Sequence, residues 1–201
     1  MRSLLISQRV DVFADRRERR DSLDQRLVEF VFACGYLPYL VPNIPAIAAA
    51  LFQAVGPAGL VLSGGNDLVA LGGTAPERDA TEEALVAEAE KLALPVFGIC
   101  RGLQFLTQRS GGVLVRVEGH VASRHQVRGL VNREINSFHN WGIERCGASW
   151  EALAKAEDGS VEFARCVELR QSGIMWHPER ETQYATDDIA LFKEWFDDTK
   201  P

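Results

Sequence analysis

The stretch Leu94-Pro95-Val96-Phe97-Gly98-Ile99-Cys100-Arg101-Gly102 constrains this chain more than any other. A short apolar run leads into glycine, cysteine and glycine at alternate positions, and a helix-like segment, Leu103 to Gln108, follows. That order reads as a strand, a sharp turn and a helix. Gly-x-Cys-x-Gly has the spacing of a nucleophile elbow with cysteine in the serine position. Glycine on either side allows a turn that a side chain would obstruct. The turn lifts the sulfur clear of the sheet and sets it at a helix N-terminus, whose free N–H groups and dipole favour a thiolate. The same five residues would also suit a small buried cysteine before a glycine-rich turn. Covalent chemistry at Cys100 therefore depends on a base, an orienting acid and oxyanion donors elsewhere in the chain.

The rest of the first half supplies the sheet such an elbow needs. Leu4-Leu5-Ile6, Tyr36 to Val41, Gly59 to Leu62 and Val96 to Ile99 read as strands. Ser22 to Cys34, Asn43 to Val55 and Glu77 to Ala93 read as the helices between them, with Ser22-x-x-Gln25 and Thr74-x-x-Glu77 as capping boxes. This alternation predicts an α/β fold, a mostly parallel central sheet with helices on both faces. The second half changes character. Val113 to Val117, Gln126 to Val131, Glu134 to Ser137, Val161 to Val167 and Ile174 to Trp176 read as strands joined by turns, a small antiparallel region, and a last helix runs from about Asp187 to Asp197. No repeat or linker interrupts 1–201, so a single domain is expected.

Composition narrows the function classes. A formal net charge of -6 argues against general nucleic-acid binding. No apolar run reaches the length of a membrane span, and the N-terminus turns polar too early for a signal peptide, which points to the cytoplasm. The four cysteines (Cys34, Cys100, Cys146 and Cys166) form no Cys-x-x-Cys pair, so they are expected as free thiols. Neither a metal nor a cofactor is expected.

Ligands of a parallel sheet sit at the carboxyl ends of its strands. Three polar segments fall there: Gln8 to Asp21, Ser63-Gly64-Gly65-Asn66-Asp67, and the elbow. His177, in Trp176-His177-Pro178-Glu179, follows an apolar strand and reads as the base, with Glu179 placed to fix its tautomer. Ser63-Gly64-Gly65 can turn backbone N–H groups toward an anion, and the N–H of Arg101 would be a second oxyanion donor. His139 is a rival base with no carboxylate near it in sequence. Its segment, Asn136-Ser137-Phe138-His139-Asn140-Trp141, reads as a substrate wall. His120 and His125 read as structural or peripheral.

These pieces together resemble the class I glutamine amidotransferase superfamily and, within it, the γ-glutamyl hydrolase branch. The resemblance rests on Ser63 to Asp67, Arg78-Asp79-x-x-Glu82, Gly98 to Gln104, Gly111 to Leu114, Asn136 to His139, Asp158 to Glu162 and Trp176 to Glu179, in the family's order. It implies a flavodoxin-like fold, a Cys100-His177-Glu179 triad, oxyanion N–H groups at Gly65 and Arg101, and Gln104 holding the glutamyl part. It also implies a γ-glutamyl thioester that water resolves to glutamate. A small-molecule substrate is implied, with no obligatory synthase partner, and a homodimer is possible for such a chain. Other members imply two alternatives: a glutaminase subunit feeding ammonia to a synthase, or a hydrolase of γ-glutamyl-polyamine or γ-aminobutyrate compounds.

Departures from the pattern concern the leaving-group side. Asn140-Trp141 stands where the branch usually carries His-Gln, and Arg180 replaces an aromatic residue after Glu179. Arg9, Arg16, Arg17, Arg19 and Arg20 cluster after the first strand, and arginine suits bidentate binding of phosphate or carboxylate. They could equally form a solvated run with Asp15, Glu18 and Asp21. The segment Ile6 to Val10 with Arg20 to Arg26 also resembles small enzymes that hydrolyse γ-glutamyl-CDP-amidate in capsule biosynthesis. An anionic or nucleotide-linked leaving group, bound by Arg9, Arg16 and Arg17, is the expectation that follows.

Overall fold

Side chains along β1 (Arg2–Ser7) alternate between two cores. Leu4 and Ile6 pack on one face of the sheet, with Leu27 and Phe30 of α1 (Gln25–Ala33) and Phe192 and Phe196 of α5 (Thr186–Asp197). Leu5 points to the other face, against Phe52 of α2 (Pro45–Val55), Leu85 of α3 (Pro76–Lys91) and Leu106 of α4 (Arg101–Arg109). Period-two burial on both faces is what a parallel sheet between two helical layers requires. This computed structural model describes residues 1–197. The span 1–201 read as one domain thus ends in four residues, 198–201, that lie outside the described ones.

Five strands run parallel in the order β4 (Tyr36–Val41), β1, β5 (Gly59–Leu62), β6 (Val96–Ile99) and β13 (Gln171–Ile174). The mostly parallel core with helices on both faces is therefore present. Beyond β13 the sheet continues antiparallel through β12 (Val161–Cys166), β11 (Glu151–Ala156), β8 (Val121–Gly129) and β9 (Arg133–Phe138). A branch from β12 adds β10 (Trp141–Arg145) and β7 (Val113–Arg116). This wing is larger than the sequence suggests, because β10 and β11 match none of the strands expected from the sequence.

The polar segment after β1 is not a loop. Arg9–Phe13 (β2) and Glu18–Ser22 (β3) form a separate hairpin, with Arg17 in the left-handed region at its tip. Neither expected capping box forms. Asp24 caps α1 through the Arg26 N–H, while Ser22 bonds Asp11 and Glu77 bonds Arg19. Aspartate directly before the first turn wins because its carboxylate reaches the free N–H groups of the helix.

Candidate active site

Cys100 has φ 52° and ψ -105°, a backbone conformation that side chains rarely adopt. It joins β6 to α4, and close packing explains both flanking glycines. A Cβ on Gly98 would stand 2.5 Å from the Gly102 carbonyl carbon, and one on Gly102 would overlap the Leu62 carbonyl oxygen. The Cys100 N–H donates to Ile174 O at 2.7 Å and its carbonyl accepts from the Gln104 N–H at 3.0 Å. The strain is thus held by β13 on one side and α4 on the other.

His177 follows β13 and is 2 % exposed. Its Nδ1 lies 2.6 Å from Glu179 Oε1, and its ring and the Cys100 side chain both lie against Gly64. Burial alone would lower the imidazole's pKa. The Glu179 carboxylate and the Cys100 sulfur outweigh that effect and hold it up to about 9. A histidine raised in this way carries its proton across the neutral range. Its contribution to stability is complete below about pH 6.5, the unfolded value, and is lost as pH rises through about 9. We expect the alkaline limb of kcat/KM near pH 9. In Glu179→Gln that limb should move to lower pH, and rate at neutral pH should fall about 10²-fold. An unmoved limb in a pH–rate profile would refute the assigned role of Glu179.

Asn136 fixes the histidine's backbone. Its amide oxygen accepts from the His177 N–H and its Nδ2 donates to His177 O, both at 2.8 Å. Nδ2 also reaches Glu181 at 2.8 Å. The Asn136 amide, expected from the sequence in a substrate wall, is thus spent on the His177 backbone and on Glu181. Ser137 is similarly committed, its buried hydroxyl donating to His120 O at 2.8 Å. Phe138 does face the cleft, edge-on to His177 at 5.7 Å between ring centroids.

The Ser63-Gly64-Gly65 turn abuts His177. A Cβ on Gly64 would lie 2.8 Å from His177 Cε1 and 3.7 Å from Cys100 Cβ, so only glycine lets the turn approach the dyad. Its carbonyls are drawn the other way by Arg78, which donates to Ser63 O at 2.6 Å, Gly64 O at 3.2 Å and Gly65 O. In a trans peptide the N–H points opposite to the C=O, so the Gly65 N–H faces away from Arg78. Arg78 is fully buried and pairs with Glu82, which also binds Arg101 and, at 2.7 Å, the Ser7 hydroxyl. Burial disfavours the Glu82 carboxylate, but Arg101 and Arg78 hold its pKa below the usual value. Sequence reasoning gave this network no role. The available signal was Arg78 and Glu82, one helical turn apart beside Asp79, a charged helix face that turns inward.

Two clefts flank the dyad. One, of about 260 Å³, is lined by Gly65, Cys100, Arg101, Gln104, Phe138 and His139. Gln104 Nε2 donates to Trp141 O there at 2.8 Å. The other, of about 340 Å³, is lined by Arg9, Asp11, Gly64, Gly65, His177 and Arg180, among others. Of the arginines expected on the leaving-group side only Arg9 reaches it, with its Nε donating to Asp11 at 3.1 Å. Arg16 and Arg17 lie exposed at the hairpin tip, 3.7 Å from Asp15 in the case of Arg16. Arg19 is taken up by Glu77 and Thr74 O, and Arg20 by Glu18. Arg180 takes their place, stacked 4.3 Å from the Phe138 ring centroid with a buried Nε that lacks a partner among the described residues.

No helix among the described residues is long and apolar enough to cross a membrane. The Peptidase C26 model matches residues 5–129 and 115–179. A γ-glutamyl-CDP-amidate hydrolase of Campylobacter jejuni is 34 % identical over 140 residues, 68 % of each chain. A γ-glutamyl-γ-aminobutyrate hydrolase of Escherichia coli O157:H7 is 30 % identical over 148 residues, 58 % of each. A crystal structure described as a GMP synthase component from Thermoplasma acidophilum superposes with a TM-score of 0.72 at 17 % identity, covering 98 % of this chain and 94 % of that one. The chain belongs to the Peptidase C26 family of hydrolases, on a glutamine amidotransferase-like α/β fold.

Proposed function

We propose that the chain hydrolyses a γ-glutamyl amide through a γ-glutamyl thioester on Cys100, and that its leaving group is anionic. The observation that carries this reading is the His177–Glu179 pair set with Cys100 around Gly64, in a turn with its carbonyls tied back. The names of two relatives, both γ-glutamyl hydrolases, support the substrate class.

The sulfur attacks the γ-carbonyl, forming a C–S bond and placing negative charge on oxygen. The N–H groups of Gly65 and Arg101 stabilise that charge. The His177 imidazolium then gives its proton to the leaving nitrogen as the C–N bond breaks. His177, now neutral, takes a proton from water, which attacks the thioester. The C–S bond breaks, glutamate leaves, and the dyad is restored. The Gln104 cleft holds the glutamyl part, and the Arg9–Arg180 cleft holds the leaving group.

Intact-mass spectrometry during turnover tests the first step: a γ-glutamyl adduct should appear on the peptide that carries Cys100. Its absence under single-turnover conditions would overturn the thioester. Glutamate release should be compared for a γ-glutamyl nucleotide amidate, a neutral γ-glutamyl amide and glutamine. Equal or better use of free glutamine would mark a glutaminase instead. Arg9→Ala and Arg180→Ala should each raise KM for the nucleotide amidate by about ten-fold, the worth of a charged hydrogen bond, and change the neutral amide much less. The double variant Arg16→Ala/Arg17→Ala should leave both substrates unaffected. Equal effects of Arg9→Ala and Arg180→Ala on the two substrates would remove the anionic leaving group from the proposal.

A further inference from the structure

Behind the Phe138 wall lies a second cluster of reactive side chains, from four separate parts of the antiparallel wing. Glu162, on β12, is fully buried. Its Oε1 lies 3.5 Å from His120 Nδ1, 3.5 Å from His125 Nε2 and 3.5 Å from His139 Nε2. The candidate atoms of His120, His125 and Glu162 all fall within 4.8 Å of one another. The three rings crowd together, with centroids 4.4 Å apart for His120 and His125 and 4.8 Å apart for His120 and His139.

These groups do not satisfy each other. Both oxygens of Glu162, both ring nitrogens of His125 and His139, and Nδ1 of His120 lack hydrogen-bond partners among the described residues. A spacing of 3.5 Å is long for a hydrogen bond. The ligand atoms of His120, His125 and Glu162, within 4.8 Å of one another, draw together by side-chain rotation to reach bonds of about 2.1 Å on a bound ion. A buried carboxylate without a partner is costly, so a cation between these atoms removes the conflict. The outer shell is also built. His120 Nε2 lies 3.0 Å from Asp158 Oδ2, and the other oxygen of Asp158 accepts from Ser160 N at 3.0 Å and Ser160 Oγ at 2.7 Å. A carboxylate on the far nitrogen of a ligating histidine fixes its tautomer and ring orientation.

We infer that His120, His125 and Glu162 bind one zinc ion that braces the wing, with His139 packed against the same carboxylate. Two imidazoles and a carboxylate form a donor set that suits zinc, with water as the fourth ligand. The sequence reading expected no metal and assigned His120 and His125 no joint role. The ion would tie the residue before β8, β8 itself and β12 into one unit, with His139, after β9, held against Glu162. His139 directly follows Phe138, and Asn136 on the same strand clamps His177, so the site braces the wall of the active site from behind.

The test uses the full chain, stripped with a chelator and titrated with zinc. One equivalent should bind, and Tm should rise by about 5 °C or more at saturating metal. Cobalt substitution should give the intense visible bands of a tetrahedral ion. His125→Ala and Glu162→Gln should each weaken zinc binding about 100-fold. Cys100→Ala should retain it, which separates this site from capture by the active-site thiol. Absence of stoichiometric zinc and of any zinc-dependent Tm rise in the wild-type chain would overturn the assignment, even where a variant fails to fold. Equal zinc affinity in wild type and both ligand variants would overturn it as well.

Discussion

Cys100→Ala is expected to lower γ-glutamyl hydrolysis at least about 10⁴-fold, because the covalent route is lost whole and the remaining dyad cannot replace it. The adduct on the Cys100 peptide should vanish with it. The backbone adds a second, independent expectation. Residue 100 sits at φ 52°, where any side chain is strained. Cys100→Gly should be equally inactive yet more stable than Cys100→Ala by about 1 kcal/mol, since glycine enters this region without steric cost. Thermal unfolding of the two variants checks this, and kinetics checks the loss of turnover. Substantial activity in Cys100→Ala would end the assignment of the nucleophile. Equal stability of the two variants would end the claim that the elbow stores strain.

Glu82→Leu is expected to destabilise the fold by about 3–5 kcal/mol, the cost of leaving buried charges without their partner. Arg78 and Arg101 both converge on this carboxylate, and all three side chains are almost fully buried. Burial pushes the Arg78 guanidinium down to about 10, and Glu82 is foremost among the charges that oppose this. Tm should fall by about 10 °C for a chain of this size. Activity should fall further than unfolding explains. Without Glu82, Arg78 no longer has a fixed position from which to hold the Ser63, Gly64 and Gly65 carbonyls. The loss should appear in kcat more than in KM, as expected for donors that act mainly on the transition-state oxyanion. A Glu82→Leu protein with wild-type Tm and kcat would show that the network neither braces the fold nor sets the turn.

Local chemistry made much of this molecule legible from the sequence. The elbow could be read because two glycines and a helix start are needed wherever a nucleophile leaves a strand, and those needs are met within five residues. Four of the five parallel strands could be read because each is an apolar run between turn signals; β13, Gln171-Ser172-Gly173-Ile174, could not, and the strand expected there, Ile174 to Trp176, overlaps it only at Ile174. Strand β11 could not: Glu151-Ala-Leu-Ala-Lys-Ala156 is rich in helix formers, yet pairing with β12 and β8 makes it extended, with Ala154 and Ala156 buried at alternate positions. Tertiary pairing outweighs propensities of a few tenths of a kcal/mol per residue.

The cleft divides in the same way. His177 and Glu179 are two residues apart, so their contact is close to a local property and was visible in Trp176-His177-Pro178-Glu179. The arginine cluster gave no such guidance. A two-stranded hairpin carries Arg16 and Arg17 to its exposed tip and leaves Arg9 at the cleft, where Arg180 joins it from the far end of the chain. Asn136 illustrates the limit of reading a motif: its position beside the site was foreseen, but only the fold shows its amide spent on the His177 backbone.

By itself, then, the sequence determined the local features on which the proposed covalent chemistry rests: a thiol at an elbow, a histidine with its acid, and glycines where backbone must come close. Those requirements are short-range and written in neighbouring residues. What surrounds that chemistry was decided by tertiary structure alone. The Arg78–Glu82–Arg101 network, the arrival of Arg9 and Arg180 at one cleft, and the meeting of His120, His125, His139 and Glu162 join residues from separate elements. Such meetings depend on strand order and register, which no single segment of the chain encodes.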